Sequence, residues 1–354
     1  MLKIAVFQYD LGVGGIQKSL VNLLRNLDYS RVSVDLYLFR RDTFFGAAFP
    51  PGVTVRYLPA TSKRYDFLPF PLARRLLRFD FPDVTYDLAV DFNSYQCVCA
   101  VGAVSVKAKK RVMWIHNNVE IKLQNEWKYR VLWHFFKGKF RYFDGFAPVS
   151  RALIEPFQRC SGVTDKPFTV LANYIDVPEI RRRMEETVPL TVDPACLNVV
   201  ALGRLCHQKG YDLMLDAFAE ACKRRGDLRL YILGDGPDRA ALEQQRDRLG
   251  LGERVFFLGN QSNPFAYMAK MDAYLSTSRY EGQPLNIMEA RAVGLPLYCS
   301  RNLEAYVDGL EGYDDISAAL CGAAKRDKHP DDLAAYNRAI AESFLALAEQ
   351  GKRE

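Results

Sequence analysis

No stretch of about 20 residues in this 354-residue chain is apolar and uncharged throughout, so no segment reads as a membrane-spanning helix. No Cys-x-x-Cys pair occurs among the eight cysteines, at 97, 99, 160, 196, 206, 222, 299 and 321, and no signal peptide leads the chain. Reduced thiols in a cytosolic setting are the expectation. Compositional bias is lacking too: 49% hydrophobic and 25% charged residues exclude a disordered or fibrous chain. Acid is scarce in the first half. Residues 1–180 carry 25 Lys and Arg against 16 Asp and Glu, and the remainder 23 against 26. That basic half calls for an anionic partner, a membrane surface or a nucleic acid. The length favours two domains of roughly 150 residues over one core.

What is present is β–α alternation. Lys3–Tyr9 reads as a buried strand, followed by the glycine loop Asp10-Leu-Gly12-Val-Gly14-Gly15 and an apolar helical series through Ile16, Leu20, Leu23, Leu24 and Leu27. Further strands are expected at Val32–Phe39, Val53–Leu58, Leu88–Phe92, Arg111–Ile115 and Gly145–Val149, which predicts a mostly parallel α/β sheet covered on both faces. The glycine loop lets backbone approach a phosphate or sugar. It is not a dinucleotide fingerprint: the third glycine is misplaced, the second strand ends in Arg40-Arg41, and Asp35 lies near that strand's start. His116 falls just past a strand's carboxyl end, where ligands collect in open α/β sheets; a loop histidine capping the next helix is the plainer alternative.

Residues 128–143 carry five Lys and Arg, no acid and seven aromatics. Tyr129, Leu132, Phe136, Phe140 and Phe143 recur at helical steps, predicting a basic amphipathic helix. Trp133, Phe136, Lys137, Lys139, Phe140 and Arg141 are its expected membrane contacts, and Arg74-Arg75-Leu-Leu-Arg78 extends that surface. The alternatives are a helix packed on the sheet with snorkelling cations, or a nucleic-acid contact without a recognised motif. Pro178, the charged run Arg181–Glu186, Pro189 and Pro194 mark the interdomain crossing.

The second half repeats the pattern. A strand at Leu197–Leu202 leads to Gly203-Arg204-Leu-Cys-His-Gln-Lys209-Gly210, where two cations in a glycine-bounded loop invite a diphosphate. Strands at Leu228–Leu233 and Val255–Leu258 follow, the latter ending in Gly259-Asn260-Gln261, a loop suited to a base. An apolar run at Met271–Leu275 then leads into Ser278-Arg-Tyr-Glu281-Gly-Gln-Pro-Leu285-Asn286-Ile-Met-Glu289. Gly282 and Pro284 put Glu281 in a turn and Glu289 inside the following helix, which Gly294 and Pro296 end. The first helical N–H groups, from Leu285 and Asn286 onward, lack intrahelical partners and suit phosphate.

In this order and spacing Gly14-Gly15, Gly203-Arg204…Lys209-Gly210, Leu233-Gly-Asp-Gly-Pro237, Phe257-Leu-Gly259 and Glu281-x7-Glu289 resemble the retaining, nucleotide-sugar-dependent glycosyltransferases of family 4. The resemblance implies the GT-B fold: two facing Rossmann-like domains, residues 1–177 on the acceptor side and 195–330 binding the donor, with a helix in 331–354 crossing back. It implies that Arg204 and Lys209 bind the donor diphosphate, Glu289 the ribose hydroxyls and Glu281 the donor sugar. Leu285 and Asn286 would meet phosphate or sugar, Asn260 and Gln261 the base, and His116 the sugar from the other domain; Gly14 and Gly15 would line the donor. No metal or other cofactor is implied. The donor would be a UDP- rather than GDP-sugar, and the acceptor a glycan or lipid-linked molecule at the inner membrane face. One departure stands out: the usual Glu-x-Phe-Gly is Glu281-Gly-Gln-Pro284 here, and the proline removes an N–H. A sugar-nucleotide epimerase of similar fold and a non-catalytic membrane-binding protein are the alternatives.

Overall fold

The computed structural model describes residues 1–44, 48–59 and 63–350, with the side chains of residues 63, 64 and 136 outside the description. It divides into two compact units, one formed by Met1–Ile175 and the segment beginning at Ala334, the other by Asp176–Leu333.

The first unit holds β1 (Leu2–Gln8), β2 (Val32–Leu38), β3 (Val53–Tyr57), β4 (Tyr86–Asp91), β5 (Ala108–Ile115) and β6 (Gly145–Pro148) in one sheet, ordered β3-β2-β1-β4-β5-β6. Every pairing is parallel, with Phe7 opposite both Tyr37 and Asp91. Strands buried on both faces explain the continuous apolar runs. The strand order reverses between β1 and β4, so the carboxyl ends of those strands border the crevice where such sheets hold ligands. Helix Ala334–Gln350 packs against β1 and β4 in this unit; it buries Ile340, Phe344, Leu345 and Leu347, and the Asn337 amide bonds both the N–H and the carbonyl of Ile175.

The second unit holds β7 (Leu197–Leu202), β8 (Leu228–Leu233), β9 (Val255–Gly259), β10 (Ala273–Ser276) and β11 (Leu297–Cys299), ordered β11-β10-β7-β8-β9 and again parallel. Here the reversal lies between β7 and β10. The loops leaving those two strands are the Gly203–Gly210 and Thr277–Pro284 segments. β11 has no counterpart in the sequence reading, because at three residues it is too short for a periodic signal.

Residues 128–143 depart from the single amphipathic helix expected. Helix Trp127–Phe136 gives way to a 3-10 turn, Lys137–Tyr142, which changes the angular step and turns Lys139 and Phe140 inward. Trp133 and Phe140 pack together and against Phe157, with ring centroids 5.3, 6.4 and 5.0 Å apart. Trp133, Lys139 and Phe140 are therefore buried and do not present a membrane face. Lys137 and Arg141 are exposed, and the Phe136 side chain lies outside the described residues.

Candidate functional site

Close backbone approach builds the site in the second unit. Gly234, with φ 140°, lies so near the Gly203 carbonyl that a Cβ would stand 2.0 Å from its oxygen. Gly210, at φ 66°, abuts the Thr277 carbonyl, where a Cβ would stand 2.2 Å away. Only glycine takes such positions without strain, so the Gly-Asp-Gly-Pro and Lys209-Gly210 motifs are steric requirements for drawing these loops together. The Asn286 amide donates to the Leu202 carbonyl at 2.6 Å, which fastens helix Leu285–Val293 to the end of β7.

On this frame Lys209, in the 3-10 turn His207–Lys209, places its Nζ 2.6 Å from Glu281 Oε1. Gln208 Nε2 donates to the Tyr280 carbonyl at 3.1 Å and lies 3.4 Å from Glu281 Oε2. Arg279 ties the two loops from behind. Its guanidinium reaches both Asp212 oxygens at 2.7 and 2.5 Å and donates to the His207 carbonyl at 2.9 Å, and its backbone N–H meets the Gln208 carbonyl. The hydrogen bonds from Arg279, more than its charge, hold the Asp212 carboxyl below its ordinary range against the opposing effect of burial. Glu289 is buried within the helix and Glu281 in the preceding turn. The N-cap residue Pro284 makes no side-chain cap bond, and the N–H groups of Leu285 and Asn286 lack intrahelical partners, whereas that of Ile287 meets Asn286 Oδ1 at 3.1 Å.

Gly203, Lys209, Glu281 and Asn286 thus converge: a Cβ on Gly203 would stand 3.4 Å from Lys209 Cε and 3.7 Å from Asn286 Nδ2. Arg204 is exposed and makes no ion pair among the described residues. At the end of β9 Asn260 is exposed, and Gln261 donates back to the Leu258 carbonyl at 2.6 Å. No side-chain hydrogen bond or ion pair joins these three to Lys209 or Glu281 among the described residues.

The first unit carries the other expected positions. Gly14 precedes helix Gly15–Arg25, and the loop before it is gathered by Asp10 Oδ1, which accepts from Gly12 N at 3.0 Å and Gln17 Nε2 at 3.1 Å. Asp35 is engaged by Arg56 at 3.0 Å and the Tyr86 hydroxyl at 2.5 Å, an arrangement unlike a ribose-binding acid. His116, just beyond β5, is buried. Its Nε2 lies 2.6 Å from the Phe92 carbonyl, and burial lowers its pKa from 6.5 to about 4, despite the opposing hydrogen bond. A carbonyl only accepts, so Nε2 carries the proton and Nδ1 the free lone pair.

Against known families, residues 13–179 match the model described as Glycosyltransferase Family 4, and residues 197–334 that described as Glycosyl transferases group 1. Both halves of the chain therefore match glycosyltransferase families, and its two parallel-sheet units have the GT-B architecture. Among its relatives is the lipopolysaccharide core biosynthesis mannosyltransferase LpsB of Rhizobium meliloti, 28% identical over 57% of this chain and 60% of that protein, under two thirds of its length. A Campylobacter jejuni N-acetylgalactosaminyltransferase acting on a diphospho-undecaprenol-linked sugar is 26% identical over 85% of this chain and 81% of its own. In fold, the chain is similar to Anabaena HepE in complex with UDP and glucose, with a TM-score of 0.65 at 18% identity over 98% of this chain and all of that one. It is also similar to the lipopolysaccharide outer core galactosyltransferase WaaB, with a TM-score of 0.60 at 18% identity over 100% and 95%.

Sequence reasoning missed the Arg279–Asp212 clasp, Gln208 and Asp10. Arg279 had a readable signal in its place two residues before Glu281; its acceptor, 67 residues upstream, did not.

Proposed function

We propose that the protein is a retaining transferase that moves a sugar from a nucleotide donor, UDP-linked rather than GDP-linked, to a lipid-linked or glycan acceptor of envelope polysaccharide synthesis. The observation that carries this reading is the Lys209–Glu281 pair at 2.6 Å, set beside the uncapped start of helix Leu285–Val293. A cation for phosphate, a carboxylate for sugar hydroxyls and unpartnered helix N–H groups fall within the span of one nucleotide sugar.

In this reading Lys209, Arg204 and the helix start meet the charge that develops on the departing diphosphate, which is stabilisation aimed at the transition state. They take the part a divalent ion plays elsewhere, and the reaction needs no metal. Glu289 accepts from the ribose hydroxyls, Asn260 and Gln261 border the base, and Gly14, Gly15 and His116 serve the sugar. The leaving phosphate takes the acceptor's proton on the face it leaves, so anomeric configuration is kept.

The acceptor is met at an anionic membrane surface, by the exposed part of the basic region the sequence pointed to, without the buried Trp133, Lys139 and Phe140. Leu72 and Leu76, on helix Phe70–Leu76, and Trp127 and Val131, on helix Trp127–Phe136, are exposed beside exposed Arg74, Arg75, Arg78, Lys128 and Arg130. Relatives named for lipid-linked and lipopolysaccharide substrates support this placement. Among the described residues no helix is long and apolar enough to cross a membrane.

Calorimetry with UDP and GDP, without metal, tests the donor reading. UDP is expected to bind the more tightly, and Lys209→Ala to weaken it by roughly 10- to 100-fold, the range for losing a charged hydrogen bond. Silence from both nucleotides, with Lys209→Ala indistinguishable from wild type, overturns it. Retention is read by NMR of the first-formed anomer.

A further inference from the structure

Among the described residues Lys139 is the one Lys or Arg that is buried, with 1% of its side chain exposed, and nothing in the transfer reaction uses it. Its Nζ donates to the Ser94 carbonyl at 2.5 Å and stands 3.8 Å from Asp91 Oδ2. Asp91, the last residue of β4, is fully buried, and its Oδ1 accepts from Ser94 N at 3.0 Å. Ser94, at φ 58°, is the only non-glycine residue with positive φ among those described. A serine in the left-handed region costs on the order of 1 kcal/mol and persists only where its surroundings over-determine it. Here the over-determination is explicit, since Asp91 grips the Ser94 N–H and Lys139 its carbonyl.

Between Asp91 and Ser94 lies Phe92, whose carbonyl accepts a hydrogen bond from His116 Nε2–H. The Phe92 ring also packs on the imidazole with centroids 4.7 Å apart. The chain of contacts therefore runs from Lys139 through Asp91 and Ser94 to Phe92 and His116. A buried ammonium is costly unless it is paired and hydrogen-bonded, and a lone buried carboxylate equally so. Fastening a turn that tolerates one conformation is a use that fits both groups.

We infer that Lys139 is a positioning residue for His116: with Asp91 it locks the Phe92–Ser94 turn so that the Phe92 carbonyl fixes the imidazole as the Nε2–H tautomer and leaves Nδ1 as a hydrogen-bond acceptor. An acceptor nitrogen at a strand's carboxyl end suits a hydroxyl donor, such as a sugar. The inference rests on the proposed role of His116 for its bearing on turnover, and on the turn's geometry alone for the tautomer.

The test uses the full chain labelled with 15N-histidine. Its four histidines, 116, 134, 207 and 329, are told apart by single His→Gln variants. Wild type is expected to show His116 as a single Nε2–H tautomer at pH 7.5, and Lys139→Met a mixture. Should Lys139→Met fail to fold, Asp91→Asn/Lys139→Met removes both charges together and is expected to show the same mixture. In nucleotide-sugar hydrolysis Lys139→Met is expected to lower kcat about tenfold, the scale of a small misplacement near the chemistry, with the donor KM less affected. Adding His116→Ala to Lys139→Met is then expected to cost little more, since the two act in series. A folded Lys139→Met or double variant that keeps the wild-type Nε2–H pattern overturns the inference. A tautomer that follows Lys139 while His116→Ala turns over normally upholds the positioning and removes His116 from the transfer reaction instead.

Discussion

His116 is a residue whose charge is decided by burial, and that has a consequence for stability. Its folded pKa is lowered from 6.5 to about 4. Above pH 6.5 the imidazole is neutral in both folded and unfolded chains and contributes no pH dependence. As pH falls from 6.5 toward 4 the unfolded chain takes the proton first, so the folded state loses stability, and below 4 the loss levels off. A shift of this size corresponds to about 3 kcal/mol across that window. Urea denaturation of wild type and His116→Gln at pH 7 and pH 4.5 should show the variant with the shallower fall; parallel falls would refute the assignment. Arg279 makes a different kind of contribution. Its fork on Asp212 is partly exposed, which holds its worth to about 1 kcal/mol. Arg279→Lys keeps the charge but loses the fork that spans Asp212 and the His207 carbonyl. It is expected to lower Tm by about 2–4 °C and to weaken UDP binding measurably, because Lys209 and Glu281 sit on the two loops Arg279 joins. A variant that melts lower with unchanged UDP affinity would make the clasp purely structural.

At the scale of elements, the helices Phe70–Leu76 and Trp127–Phe136 carry the membrane proposal, and they also show how far sequence could go. Contact with anionic lipid is worth about 1 kcal/mol per cation near the surface. Arg74→Glu/Arg75→Glu is therefore expected to lower partitioning onto anionic vesicles by at least 30-fold, while neutral vesicles bind wild type and variant alike. Co-sedimentation indifferent to lipid charge and to salt would count against the placement. Sequence made the long parallel strands readable because strands buried on both faces are uninterrupted apolar runs. It also located the start of helix Leu285–Val293 from Pro284 and the stop from Gly294. The face of the 128–143 segment was not readable. Helical periodicity holds only while the step stays at 3.6 residues, and the 3-10 turn from Lys137 shifts it, burying Lys139 where an exposed cation was expected. The partner that makes this tolerable, Asp91, lies 48 positions away at a strand end and leaves no local trace. In the same way Glu281 and Lys209 each carried a motif, but that they touch follows only from strand order, which sets β7 beside β10.

The whole chain is asymmetric in how its two units are made, and this gives a test of where the donor binds. Residues 176–333 form one continuous unit with its own five-stranded sheet and its own core, including Leu197, Val199, Phe218, Leu230, Ile232 and Leu275. The first unit is discontinuous: residues 1–175 need helix Ala334–Gln350, which buries Ile340, Phe344, Leu345 and Leu347 and whose Asn337 satisfies both backbone groups of Ile175. Removing that helix strips several large apolar side chains from the sheet, each worth roughly 1.5–3 kcal/mol of burial, and leaves two buried backbone groups unpaired. That exceeds much of the 5–15 kcal/mol by which a domain is ordinarily stable. Residues 176–333 expressed alone are accordingly expected to melt cooperatively, and residues 1–175 alone to lack a cooperative transition until the 334–354 segment is supplied. If Lys209, Glu281 and Glu289 hold the nucleotide as proposed, the isolated 176–333 unit should bind UDP within about tenfold of the full chain, a difference of some 1.4 kcal/mol for contacts left behind in the first unit. A well-folded 176–333 unit with no measurable UDP affinity would move the nucleotide away from this cluster, while leaving the two-unit architecture intact.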